Sequence, residues 1–361
     1  MLVLYFFAIR IGAGTGGAVF AALTYGLATP AWAWSTAFQG HILAGSCLFL
    51  AFASLYYLDK MRESRPGMEI ALGLAAGALL SWAVVVEYTA VVASVIIALY
   101  GLSKIRAWES NKKARALKAA FAASVIFILP LLIYNYVAFD SPFSTGYLYS
   151  PDVGIFTGMK VGFHGITYPH PERFYGIFFG GMRGLFWLSP ILLLAPLAIY
   201  RWWRTPGSKG EAAAVTAIAA YYILWNSSYF YWYGGVSTGP RFIIPMLPFI
   251  CLPFALLWTG AGAWLKRGLA FLFMLSFFIS LISASVRPPG VREGQNVVLE
   301  MLIPGFFDGD ITQVIILRLF IGTADRCSPD MLLTLVPLFV VLILGGLYIW
   351  KLLGQEKLSA Q

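Results

Sequence analysis

Charge is scarce in this chain: 11% of its 361 residues are Asp, Glu, Lys or Arg, and three more are histidine. A soluble domain of ordinary composition carries about a quarter charged residues, so that class is excluded. Cysteine is as sparse, with three in all. Cys47 and Cys251 sit in apolar runs and Cys327 in a connecting segment. That scatter gives no disulfide framework, no C-x-x-C pair and no zinc spacing. A Walker loop and a dinucleotide fingerprint are also missing. The sequence opens apolar at once, "MLVLYFFAIR", without the basic start of a cleavable secretion signal.

What the chain does have is apolar length. Hydrophobic residues make up 60% of it, and the mean hydropathy is +0.78. Apolar segments fall near 11–28, 38–58, 68–86, 88–102, 117–138, 184–200, 211–227, 241–260, 268–285 and 331–352. Many approach the length of about 20 residues that a helix needs to cross a bilayer. Uninterrupted runs favour helices over a β-barrel, whose strands alternate in short segments. The expected fold is therefore all-α: a polytopic helical membrane protein of about ten transmembrane segments. One multispanning domain is expected over 1–353, with a cytoplasmic tail at 354–361.

The basic residues set the orientation. Clusters lie at "DKMRESR" (59–65), "SKIRAWESNKKARALK" (103–118), "RWWRTPGSK" (201–209), "LKR" (265–267) and in the C-terminal tail. An even number of apolar segments separates each cluster from the next, so one orientation puts them all on one face. By the positive-inside rule that face is cytoplasmic. The formal net charge of +9 is thus a topology signal and calls for no nucleic acid. Residues 68–102 test the scheme. As one helix they would span roughly 50 Å, against a bilayer core of about 30 Å. They are expected to form a hairpin that turns at "VEYT", with Glu87 at its outer end. A carboxylate inside so apolar a stretch is a functional candidate; it also suits a turn residue that reaches interfacial water.

Two long outer segments, 139–183 and 286–330, interrupt the pattern. Loops of such length are functional or disordered, and their aromatic and aliphatic content argues against disorder. They are expected to fold back on the outer face, with a short helix near 311–321. "GAGTGG" (12–17) reads as a small-residue contact between helices.

Chemistry-bearing side chains gather on that outer face. They include Trp32, Trp34, His41, Glu87, Tyr88, Tyr147, Tyr149, Asp152, His164, His170, Glu172, Arg183, Trp232, Tyr233 and Arg241. An interfacial belt accounts for many of the aromatics. Arg241 is less easily absorbed. It follows Gly234, Gly235, Gly239 and Pro240, which suit a close backbone approach to a ligand and the first turn of a helix. A guanidinium at a helix N-terminus suits a phosphate at headgroup depth, while a snorkelling anchor would also place an arginine there. His41, Arg183, His170, Tyr147, Trp232 and Tyr233 complete the candidate binding set, and Glu87, Asp152 and Glu172 are the candidate bases. No metal constellation is apparent. A phosphate-linked sugar carried on a lipid fits this mixture of rings, hydroxyl partners and cations.

"YGLATPAWAWSTAFQGH", "VVVEYTA", "NYVAFDSPFSTGY", "MRGLFWLSPILLLAPLAIY" and "WYGGVSTGPRFIIPMLPF" follow one another in an order that resembles the GT-C superfamily of membrane glycosyltransferases. The likeness covers most of 1–350 and is nearest to bacterial relatives of protein mannosyltransferases and aminoarabinose transferases. It implies transfer of a sugar from a polyprenyl phosphate to an acceptor in the cell envelope, at the outer side of a bacterial cytoplasmic membrane. Some such enzymes use a divalent ion. Members of the superfamily begin with further spans and an outer loop that bears the catalytic aspartate, and no counterpart is found here. The resemblance therefore leaves three expectations open: a piece of a longer transferase, a degenerate relative that is inactive as it stands or uses Glu87, Asp152 or Glu172 as a substitute base, or a non-catalytic subunit that works with a partner membrane protein. A lipid or solute transporter is the alternative from a different class; it would place ionisable residues near mid-membrane.

Overall fold

The computed structural model describes residues 1–37, 39–60, 67–149, 154–235, 237–286, 294–311, 336 and 339–347. Regular structure among them is helical, apart from three isolated β-bridges. The first half runs α1 (Leu2–Arg10), α2 (Thr15–Leu27), α3 (Ala31–Ser35), α4 (Gly40–Lys60), α5 (Met68–Val86), α6 (Ala90–Lys104) and α7 (Ser110–Phe139). Two 3-10 turns, Gly146–Tyr149 and Gly154–Lys160, lead to α8 (Pro171–Phe178) and α9 (Leu185–Leu188). α10 (Ala195–Trp203), α11 (Lys209–Ser228), α12 (Leu247–Cys251), α13 (Phe254–Thr259), α14 (Ala263–Ser285) and α15 (Ile303–Phe307) follow. One hydrophobic cluster runs from Leu4 to Leu269 and joins α1 to α14, and a second, smaller one around Leu188, Val286, Val297, Leu302 and Ile311 packs α15.

Among the described residues, four helices are long and apolar enough to cross a membrane: Gly40–Leu58 of α4, α5, α7 and α14. Three expected runs are interrupted. The 11–28 run is a 13-residue α2 that starts only after Gly12, whose φ is +94°. The 184–200 run breaks into α9, a 3-10 turn at Pro190–Leu194 and α10. The 241–260 run becomes a 3-10 turn at Arg241–Met246 followed by α12 and α13. Prolines 190, 196, 245, 248 and 253 lie in these breaks; each lacks the N–H that a continuous helix needs. The 331–352 run is helical at 336 and 339–347, and the rest of it lies outside the described residues. So do the 354–361 tail and, beyond Ile311, the short helix expected near 311–321.

The hairpin at "VEYT" is present: α5 ends at Val86 and α6 begins at Ala90. The basic segments meet at the opposite end of the bundle. There Lys104 Nζ lies 2.6 Å from Glu211 Oε1, and Tyr100 donates to the same oxygen at 2.9 Å. Arg115 holds Glu69 at 2.8 Å, and Arg201 donates to the Gly260 carbonyl at 3.2 Å. Both glutamates are buried, a position that a carboxylate tolerates only with a cation beside it.

Helix α7 has 30 residues, about 45 Å at 1.5 Å per residue. Its first turns carry Lys112, Lys113, Arg115 and Lys118, and the stretch beyond is apolar. Asp140 ends it in the left-handed region at φ 54°, which aspartate can adopt.

Close helix contacts rest on small residues. A Cβ on Gly73 would lie 2.6 Å from the Ala116 carbonyl oxygen, and one on Gly77 would overlap the Ala120 carbonyl. Gly73 and Gly77 form a G-x-x-x-G face that lets α5 and α7 touch backbone to backbone. Gly17, in "GAGTGG", meets the Ala255 carbonyl of α13 in the same way. Gly77→Val is expected to lower stability by about 1–3 kcal/mol through overpacking, whereas Gly268→Ala, with open space around it, should leave the protein unchanged. Thermal unfolding in detergent distinguishes the two.

Candidate functional site

A cavity of about 510 Å³ opens at the end of the bundle where α5 turns into α6. Glu87, Tyr88, Val91 and Val92 form one wall, and Tyr221, Trp225, Tyr229 and Phe242 another. The segment after α7 covers it with Phe143, Tyr147, Leu148, Met159, Phe163 and His164. The lining is overwhelmingly apolar and aromatic, with Glu87 as its one carboxylate among the described residues.

Glu87 is set by backbone. It is the extended C-cap of α5 at φ −145°, its N–H bound to the Ala83 carbonyl and its own carbonyl accepting from Ala90 N–H at 2.9 Å. α4 starts alongside because residue 40 is glycine: a Cβ there would lie 2.9 Å from Val86 Cγ1 and 3.0 Å from Glu87 Oε1. The next residue, His41, is 5% exposed and puts Nδ1 3.0 Å from Glu87 Oε1. Trp34 and Phe242 meet its ring edge-on at 5.8 and 5.5 Å, and Trp34 Nε1 donates to the Thr238 carbonyl at 3.0 Å. An apolar collar thus aims the polar edge of His41 at the carboxyl.

Arg241 stands behind this pair. Its guanidinium carbon is 4.9 Å from the Phe242 ring centre, and its Nε is buried without a hydrogen-bond partner. Burial pushes the Glu87 carboxyl up to about 7, with the charge of Arg241 pulling the other way. Burial also raises the Tyr147 phenol, helped by the nearby Glu87 and Tyr88 and opposed by Arg241. The Tyr229 phenol is pushed up to about 12, mainly by burial. The carboxyl is therefore the group in this wall that exchanges a proton near neutrality.

The helix N-terminus expected at Arg241 is replaced by a six-residue 3-10 turn that leads into a five-residue α12. Its closely spaced prolines prevent a longer helix, so no extended dipole points at the site. The glycines before it do adopt positive φ, at 71°, 73° and 80° for Gly234, Gly235 and Gly239. What they make room for is the protein itself: a Cβ on Gly234 would press on the Arg241 stem at 2.9 Å, and one on Gly235 would overlap the Tyr231 hydroxyl.

Arg183 explains why that backbone coils so tightly. It is 2% exposed. Its Nε donates to the Tyr233 carbonyl at 3.0 Å, Nη1 to Ser237 at 2.5 Å, and Nη2 to Gly235. Its guanidinium is spent on main-chain oxygens and works as a staple for Tyr233, Gly235 and Ser237.

The remaining candidates separate into groups. Tyr147 lines the chamber, edge-on to Tyr88 at 6.1 Å. Trp232 packs against Gly176 of α8, and Tyr233 supplies a carbonyl to Arg183. His170 bonds Glu172 at 3.0 Å and Thr167 at 3.2 Å and stacks on Tyr168. That group does not line the chamber, and Glu172 is 71% exposed. Asp152 lies outside the described residues. Trp225, Tyr229 and Phe242 enter the wall unforeseen, although the aromatic run "WNSSYFYWYGG" that begins at the end of α11 contains the first two. Among the described residues no group of three or more His, Cys, Asp or Glu converges to hold a metal ion.

Fold and site together define a helical membrane protein with an aromatic chamber at one end of its bundle. No family model, no curated protein and no solved structure matches the chain.

Arg183→Ala is expected to cost about 3 kcal/mol, because buried carbonyls lose charge-assisted partners. Arg183→Lys should rescue little, since a single ammonium does not reproduce the planar fork. Thermal unfolding of the purified protein reads both.

Proposed function

We propose that the chain transfers a sugar from a polyprenyl-phosphate donor to a hydroxyl of a cell-envelope acceptor. The observation that carries this reading is Glu87 in the wall of a largely apolar and aromatic chamber, with the buried His41 ring 3.0 Å from its carboxyl. Sugar rings offer C–H faces to tyrosine and tryptophan, and an isoprenoid chain is compatible with the exposed Val91 and Val92 beside the chamber. Glu87 takes the proton of the acceptor hydroxyl while that oxygen bonds to the anomeric carbon. The carbon–oxygen bond to phosphate breaks, and the phosphate leaves with the electron pair. His41 holds the carboxylate in place. The order of the sequence motifs supports the same class of reaction.

The basic end, with Lys104, Arg115 and Arg201, supports a cytoplasmic assignment for that end and an outward one for the chamber. The reading places the chain in a bacterial inner membrane with about ten crossings, the broken runs completing spans by stacking short helices. If the chain works with a second membrane protein, that partner completes the acceptor side.

Glu87→Gln is expected to lower transfer from polyprenyl-phosphate sugar by about 100-fold or more, with expression in membranes intact. Retention of activity would remove Glu87 from the chemistry. Solute flux into proteoliposomes without any covalent product would make the chamber a transport vestibule instead. The pH profile is a separate check. A carboxyl raised to about 7 is a base only once deprotonated, so the rate should climb with pH through neutrality and then level off.

A further inference from the structure

The cover of the chamber ends in a tight turn. Gly165 N–H donates to the Val161 carbonyl, and Phe163 and Ile166 exchange N–H···O bonds, all at 3.0 Å. The turn requires left-handed backbone at Gly162, His164 and Gly165, with φ of 65°, 51° and 80°. Two of these positions hold the residue that adopts such angles freely; the third holds histidine. The turn is also fastened. The Phe230 ring is clamped between Gly158 and Gly165, where a Cβ on either glycine would overlap it. Phe230 N–H donates to the Gly165 carbonyl at 2.9 Å, and Thr167 N–H to Ser228 at 3.0 Å. A glycine at 164 would satisfy the same backbone with less strain, yet a side chain stands there and lines the chamber. A non-glycine residue held at such an angle by fixed surroundings points to a functional demand.

The demand is identifiable from the lining. Phenols aside, Glu87 and His164 are its two ionisable side chains among the described residues. A phosphate cannot rest against the Glu87 carboxylate, so a phosphate-bearing ligand must present that group elsewhere. We propose that His164 contacts the phosphate of a lipid-borne ligand in the chamber, its imidazole N–H donating to a phosphate oxygen across from Glu87. This rests on the lipid-phosphate reading given above and assigns the phosphate contact within it. The apolar walls make the chain of the ligand part of recognition, so free phosphate should not suffice.

The test uses the full chain in nanodiscs, with farnesyl phosphate, farnesol and inorganic phosphate as probes. Wild type should bind farnesyl phosphate about tenfold or more tighter than farnesol, and inorganic phosphate should not displace it. His164→Gly should lose about tenfold in farnesyl phosphate affinity, and His164→Asp more, because aspartate keeps the turn but repels the anion. Farnesol binding should stay unchanged in both. The unliganded melting temperature of His164→Gly should equal or exceed wild type. Undiminished farnesyl phosphate binding in the variants would overturn the assignment, as would equal loss for farnesol or a lowered melting temperature in His164→Gly. Displacement by inorganic phosphate would overturn its lipid form. Wild type that fails to prefer farnesyl phosphate over farnesol would instead sink the lipid-phosphate reading beneath it.

Discussion

The buried guanidinium of Arg183 holds together the end of the molecule that matters most. By drawing the carbonyls of Tyr233, Gly235 and Ser237 onto one planar group, it forces the backbone into left-handed turns that only glycine accepts without strain. Those turns seat the Arg241 stem against Gly234. The Arg241–Met246 segment in turn carries Phe242, which closes on His41 and walls the chamber. A neutral residue at 183 would leave buried carbonyls without donors, and the path from backbone coil to carboxyl environment would come apart at its first link.

The bundle separates two kinds of polar chemistry. At the basic end, each buried glutamate has a full cation within 2.8 Å, Lys104 for Glu211 and Arg115 for Glu69. Such pairs tie neighbouring helices together. At the chamber end, Glu87 has an imidazole in place of an ammonium or a guanidinium at contact distance, and Arg241 acts on it through space. The carboxyl there is raised to about 7 and is free to gain or lose a proton under ordinary conditions. The same residue type is structural at one end and chemically labile at the other: burial raises Glu87 where no ammonium or guanidinium sits at contact distance to offset it.

Much of this was legible in the order of residues. Chain length between basic clusters required the turn at Glu87, because a single helix over 68–102 would overrun the bilayer. The charge asymmetry brought Lys104, Arg115 and Arg201 to one end. Other features resisted. The 184–200 and 241–260 runs read as spans on hydropathy, although prolines 190, 245, 248 and 253 mark their breaks; hydropathy counts apolar surface and ignores missing N–H groups. His41 and Glu87 both stand out in the sequence as polar residues beside apolar runs, but nothing in it pairs residues so far apart. Arg183 resembled an anion ligand because the partners that claim it are carbonyls, which every residue carries. The glycines at 234, 235 and 239 suggested room for a ligand, and the room is taken by Arg241, Tyr231 and Leu188.

Helix α7 works as a depth gauge. Its lysine- and arginine-bearing first turns belong in water or among headgroups, which leaves 119–139 as the buried length, about 31 Å at 1.5 Å per residue. That matches a hydrocarbon core of about 30 Å, so Asp140 emerges at the boundary and the cover over the chamber begins at headgroup level. An amphiphile could therefore occupy the cavity with its charged part still at the water–lipid seam and its tail still among acyl chains. Exchange would then be a sideways step within the leaflet, with no need to lift the molecule out of the membrane.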